Sequence, residues 1–142
     1  MTRAVVDASV AVKWLVRQDG SDKAYAAFER YELTAPSLIL AEIGNALWKY
    51  HRAGIVSAEK IRESMIGIET AYFVALPIDE ALSIDALNIA ANIAHPIHDC
   101  YYLAAAARIR APLITADERL SRKARAAAFN VVDLATLPDV SP

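Results

Sequence analysis

Four acids in this chain stand where chemistry is most easily built: Asp7, Glu42, Asp99 and Asp117. Asp7 closes the apolar run Ala4-Val5-Val6, and Asp117 follows Leu113-Ile114-Thr115. Asp99 opens an apolar helical run, and Glu42 is the first polar residue after Leu38-Ile39-Leu40-Ala41. Each also has a structural explanation. Asp7, Asp99 and Asp117 stand where a helix N-cap is wanted, and Glu42 can lie on a solvated stripe with Asn45, Lys49 and Arg52, which share about 80° of a helix surface. If the four converge, the chemistry changes. At about 5 Å and an effective dielectric of about 20, each ionised pair repels by about 3 kcal/mol, so a cation must offset them. All-oxygen ligation suits Mg²⁺ or Mn²⁺, whereas Zn²⁺ would recruit His or Cys. Such an ion orients a water and offsets charge on a phosphodiester oxygen, so the reaction implied is phosphodiester hydrolysis.

The elements that must position these acids follow from the patterning. Short apolar runs at Ala4–Val6, Leu33–Ala35, Tyr72–Leu76, Pro112–Thr115 and Val131–Val132 read as strands, with Pro36 and Pro77 stopping the second and third. Helices are predicted from Asp7 to near Arg17, from Ser21 to about Tyr31, and from Leu38 to about Ala53, the last capped by Ser37 with Gly54 just past its end. Others follow Ser57, run from Asp79 to about Ala94, from near Asp99 to Arg110, and from Asp117 to about Phe129. The alternation predicts an α/β fold: a mostly parallel central sheet of four to five short strands, flanked by helices on both faces, in one domain spanning 1–142. In such sheets ligands bind beyond the carboxyl ends of the strands, where Asp7 and Asp117 fall.

Composition narrows the classes. The 142 residues are 56% hydrophobic and 23% charged, which excludes disorder as a description of the whole, and 29 alanines against 4 glycines argue against an all-β fold. No apolar stretch reaches the roughly 20 residues of a membrane span. The N-terminus meets an acid too early for a secretory core, and the single cysteine, Cys100, fits a reducing compartment, so a cytoplasmic protein is expected. The net charge of −2 gives no overall attraction to nucleic acid. A local patch could: Arg119, Arg122, Lys123 and Arg125 follow Asp117 and are expected to contact an RNA backbone, with a solvated helix face as the alternative. Lys49 and Arg52 would extend it.

Other constellations are weaker. His95, His98 and Asp99 resemble a zinc set on paper, but Pro96 denies the first two a shared helical face. Trp14 and Trp48 read as core or interface residues rather than base-stacking platforms. Asp7 lacks the companion acids of a phosphoacceptor domain, and Ser9 stands where an aspartyl phosphatase would need a second Asp.

Taken together, Val-Val-Asp7-Ala-Ser9, Ala41-Glu42-Ile43-Gly44-Asn45-Ala46-Leu47, Asp99 with Tyr102, Ala104 and Ala106, and Leu113-Ile114-Thr115-Ala116-Asp117 resemble the PIN-domain ribonucleases and, within them, the VapC-like toxins of toxin-antitoxin pairs. The match covers nearly the whole chain. It implies a PIN-like fold and an endoribonuclease in which Asp7, Glu42, Asp99 and Asp117 are the catalytic, metal-binding acids, supported by Ser9, Asn45 and Thr115. It also implies Mg²⁺ or Mn²⁺, an RNA substrate such as tRNA or a ribosomal RNA loop, a small antitoxin, and a homodimer. Many relatives carry a further acid two residues after the last Asp; Arg119 stands there in this chain, which favours one firmly bound ion. The competing reading is a non-catalytic protein-interaction domain on the same fold.

Overall fold

The computed structural model describes residues 1–139. Five strands, β1 (Thr2–Val6), β2 (Tyr31–Pro36), β3 (Val74–Leu76), β4 (Leu113–Thr115) and β5 (Val131–Asp133), form one sheet in the order β3-β2-β1-β4-β5, every pair parallel. Eight helices accompany it: α1 (Ala8–Leu15), α2 (Ser21–Arg30), α3 (Ile39–Arg52), α4 (Ala58–Met65), α5 (Ile68–Ala71), α6 (Glu80–Ile93), α7 (Ile97–Ile109) and α8 (Glu118–Ala126). A 3-10 turn, Leu134–Thr136, follows β5. The strand order reverses between β1 and β4: later strands are added outward from β1 on one side, and from β4 on the other. In parallel sheets a crevice forms at the carboxyl edge where the order reverses, and Asp7 and Asp117 are the residues just beyond β1 and just beyond Ala116 after β4.

The central strand is fully apolar where it is covered, with Ala4, Val5 and Val6 all buried, as a strand shielded on both faces must be. Helix α3 faces the core with Ile39, Ile43 and Leu47, one residue per turn, and α7 brings Leu103, Ala105 and Ala106. The small residues of α7 allow α6 close approach, and Leu82, Ala86, Cys100 and Ala104 form a second cluster between them. Trp14 is buried, stacks on Tyr72 at 4.7 Å and donates its indole N–H to the Ala24 carbonyl at 2.8 Å, in accord with a core role. Trp48 is 49% exposed, with the Arg52 guanidinium 5.5 Å from its ring centroid.

Several expected boundaries move, each for a local reason. Ser37 does not cap α3: its N–H extends the sheet by bonding the Leu76 carbonyl at 2.9 Å, and Leu38 takes the cap position without a side-chain bond. Pro36 is the last residue of β2 rather than its stop, opposite Leu76 at the final rung. The third strand begins at Val74, after the short α5. Asp99 caps nothing, because α7 starts at Ile97 behind Pro96. The final long helix ends at Ala126, three residues before Phe129. The expected end of α3 holds, with Gly54 in the left-handed region at φ +78°. Arg110 ends α7 in that same region at φ +55°, where a Cβ is unfavourable. Arg110→Gly is therefore expected to raise stability by up to about 1 kcal/mol, read as a higher urea midpoint.

Candidate active site

Asp7 stands at the carboxyl edge of the sheet beside the reversal. It follows β1, caps α1 by accepting the Val10 N–H at 3.3 Å, and is only 4% exposed. Capping and a site role therefore coincide in one carboxylate. Its Oδ1 accepts the Ser9 hydroxyl at 2.5 Å and its Oδ2 the Thr115 hydroxyl at 2.5 Å. Both hydroxyls are oriented from behind. Ser9 Oγ accepts the Ala116 N–H at 2.9 Å, and Thr115 Oγ1 accepts the Asp117 N–H at 3.0 Å. With a backbone donor filling one lone pair, each hydroxyl is set to direct its proton at Asp7. The network ties the ends of β1 and β4 to the starts of α1 and α8. Even so, burial dominates, and the Asp7 carboxyl is raised from its ordinary 3.8 to about 6, the two hydroxyls opposing and the Asp99 charge adding to the rise.

Glu42 lies one turn into α3, half-buried, and accepts a hydrogen bond from the Tyr102 hydroxyl of α7. Burial raises its carboxyl above the ordinary range, Tyr102 opposes, and the Asp99 charge adds to the rise. The Tyr102 hydroxyl is itself driven far up by burial and by Glu42, so it acts only as a donor. The all-apolar run Leu38-Ile39-Leu40-Ala41 suggests that this whole turn is buried, but Ile39 is buried and Ala41 exposed, so only the inner side of the turn is covered. Tyr102→Phe is expected to cost about 1 kcal/mol in urea unfolding at pH 7, because Glu42 loses its donor.

Asp99, in the first turn of α7, is the charge common to both neighbours and meets the His95 ring, Nε2 to Oδ2, at 2.6 Å. Asp117 caps α8 through Oδ1, accepting from the Arg119 and Leu120 N–H groups at 3.0 and 3.1 Å. It joins the site through its own N–H on Thr115. Asn45 is exposed one turn beyond Glu42 and makes no side-chain hydrogen bond among the described residues.

The donors at this edge are carboxylates and hydroxyls. Among the described residues no Lys or Arg forms an ion pair with Asp7, Glu42, Asp99 or Asp117; His95 is in direct contact with Asp99, and the exposed His98 lies near enough to Glu42 to oppose the rise of its carboxyl. This donor set fits a hard divalent cation. As the side chains stand, no three His, Cys, Asp or Glu groups among the described residues converge on one point. Each acid is engaged by an internal partner: Asp7 by Ser9 and Thr115, Glu42 by Tyr102, Asp99 by His95 and Asp117 by the first turn of α8.

The basic run divides. Arg119 and Arg122 are exposed and without ion-pair partners among the described residues. Lys123 gives its ammonium to the Ala94 carbonyl at 2.5 Å. Arg125 bonds Val131 O at 2.9 Å, Ser121 Oγ at 3.2 Å and Asp133 Oδ2 at 3.2 Å, fastening α8 to β5. The His95 contact to Asp99 went unread in the sequence, where Pro96 argued against a shared helical face for His95 and His98. A histidine four residues before a candidate ligand was the available signal.

An all-parallel sheet in this order, with carboxylates and hydroxyls at its point of reversal, defines an α/β domain with an acidic, oxygen-rich edge. The chain belongs to the PIN domain family, whose sequence model matches residues 4–126. Among its relatives, Ribonuclease VapC3 of Pyrobaculum aerophilum is 29% identical over 124 residues, covering 85% of this chain and 94% of that protein. A crystal structure of a protein from the same organism superposes with a TM-score of 0.71 at 26% identity, covering 95% of this chain and 92% of that one. The VapC20 toxin of Mycobacterium tuberculosis, which cleaves the sarcin-ricin loop, shares the fold at a TM-score of 0.68 and 13% identity, covering 98% and 99%.

Proposed function

We propose that this chain is a metal-dependent endoribonuclease, using Mg²⁺ or Mn²⁺, and the toxin of a toxin-antitoxin pair. The observation that carries the reading is the group of Asp7, Glu42 and Asp99, the first two raised by burial and by the Asp99 charge, with no Lys or Arg ion-paired to them among the described residues. Maintaining that charge is unfavourable unless function uses it. The family, the ribonuclease relative and a toxin-antitoxin complex from Klebsiella pneumoniae with a TM-score of 0.69 support the same reading.

Asp7, Glu42, Asp99 and Asp117 would hold the ion. A bound Mg²⁺ or Mn²⁺ supplies an activated water and offsets charge on the phosphodiester. Ser9 and Thr115 keep Asp7 aimed into the crevice, and Asn45 lies within a turn of Glu42 to meet substrate. Arg119 and Arg122 contact the RNA backbone, while Lys123 and Arg125 contribute charge from fixed positions. Reversing both free arginines, Arg119→Glu with Arg122→Glu, is expected to weaken RNA binding and flatten its salt dependence by about two counterions, measured as the slope of log affinity against log salt.

The substrate is a structured RNA of the tRNA or ribosomal RNA kind, and the protein partner is a small antitoxin. Exposed Val74 on β3 and Ile84 and Leu87 on α6 offer apolar surface for a homodimer. Among the described residues no helix is long and apolar enough to cross a membrane, compatible with work in the cytoplasm. Saturating Mn²⁺ should raise the melting temperature of the wild type but not of Asp99→Asn. No rise in either would favour the interaction-domain reading instead.

A further inference from the structure

One buried side chain beside the acids is neither a carboxylate nor a hydroxyl. His95 is only 7% exposed, its Nε2 lies 2.6 Å from Asp99 Oδ2, and its Nδ1 is buried without a hydrogen-bond partner among the described residues. A proton on Nδ1 would be buried with no acceptor, at a cost of about 1–3 kcal/mol. On Nε2 the proton is donated to the carboxylate. The contact therefore orients Asp99 by one directed hydrogen bond from a buried ring, whereas a Lys or Arg in its place would cancel the charge a cation requires.

The turn that carries His95 is fixed from several sides. Ala94 ends α6 in the left-handed region at φ +53°, and its carbonyl is held by Lys123 Nζ from α8 at 2.5 Å. The His95 N–H bonds the Ala90 carbonyl at 3.3 Å, and its own carbonyl accepts the Cys100 thiol at 3.8 Å. Pro96 then sets the backbone that starts α7 at φ −52°. A side chain held this firmly can transmit its position to its partner. Asp99, in the first turn of α7, would otherwise be free to fold back onto the open N–H groups of its own helix.

We propose that His95 is a positioning residue of the acid cluster, its Nε2–H holding the Asp99 carboxylate in place at the crevice so that a divalent cation meets a ligand already oriented. This rests on the metal-dependent reading of the site. It also accounts for Lys123, whose ammonium braces the His95 turn and is not available as a freely mobile phosphate contact. Hydrogen-bond partners that orient metal-binding groups typically change metal affinity by about 10–100-fold when removed.

The test is Mn²⁺ binding by calorimetry on the full chain, stripped of metal, for wild type, His95→Ala and His95→Gln, each checked for folding by circular dichroism and by melting in chelator. Glutamine can present an N–H near the position of Nε2. The expected result is a loss of about 10–100-fold in Mn²⁺ affinity in His95→Ala, largely restored in His95→Gln. Equal affinity in wild type and His95→Ala, or no restoration by glutamine, overturns the proposal alone. Absence of Mn²⁺ binding in wild type overturns the metal reading and this proposal with it. Without any metal, ring ¹⁵N NMR should place the His95 proton on Nε2 and show its environment change in Asp99→Asn; a proton on Nδ1 overturns the pairing.

Discussion

Asp7→Asn should lower metal-dependent RNA cleavage by at least about 10²-fold, the size of losing one group that stabilises transition-state charge, while leaving the chain folded. Asparagine keeps the shape of the carboxylate and can still accept from Val10 and one hydroxyl, but it brings no negative charge to a cation. The stability of the variant has the opposite sign from its activity. The Asp7 carboxyl is raised by burial to about 6, so holding it ionised at neutral pH opposes folding. The displacement from 3.8 to about 6 corresponds to about 3 kcal/mol. Asp7→Asn removes that cost and part of the hydrogen bonding together. The metal-free variant is expected to be at least as stable as wild type in urea at pH 7. An inactive variant that is also much less stable would show Asp7 to be chiefly a structural cap.

Metal-free wild type should lose stability as pH rises from about 4 to about 6, and then level off. Between those values the folded chain keeps a proton on Asp7 that the unfolded chain has released, so folding is favoured by acid and the slope is negative. Integrated over the window, this one group contributes about 3 kcal/mol, and Glu42, also raised, acts in the same direction. Asp79 opposes it at the acid end: its carboxyl is lowered by the Leu82 N–H it caps, so its contribution is lost as pH falls below the usual carboxylate range. Divalent binding has the reverse dependence. Because the ion competes with the proton on Asp7, affinity should fall about tenfold per pH unit below about 6. Urea unfolding in chelator from pH 4.5 to 7.5 checks the first statement and Mn²⁺ titration over the same range the second. Asp7→Asn should remove most of the slope in both, and a wild type whose slope matches the variant would refute the assignment.

The parts of the site that depend on local sequence were legible. Val-Val-Asp and Leu-Ile-Thr-Ala-Asp each end a buried strand in an acid, and a parallel sheet places such endings on one edge. Asp79 and Ser57 cap their helices as their positions suggest, accepting from Leu82 at 2.7 Å and Lys60 at 3.1 Å. What the sequence concealed depends on partners far away along the chain. Arg119, Arg122, Lys123 and Arg125 read alike on a helix, yet the acceptors that separate them, Ala94 O and Val131 O, belong to other elements. Ser37 has an N-cap's side chain, but the Leu76 carbonyl claims its N–H for the sheet. His95 was set aside with the zinc reading because Pro96 follows it, whereas the left-handed turn at Ala94 brings its ring back onto Asp99. The four-residue helix α5 is too short for any periodicity to register.

The most direct measurement incubates metal-stripped protein with total cellular RNA, with and without Mg²⁺ or Mn²⁺, beside Asp7→Asn, and maps every new 5′ end. Discrete cuts that require both the added ion and Asp7, at a restricted set of sites in structured RNA, are expected. Cuts that persist in chelator or in Asp7→Asn would contradict this expectation, as would intact RNA after exposure to folded wild type that binds no divalent ion.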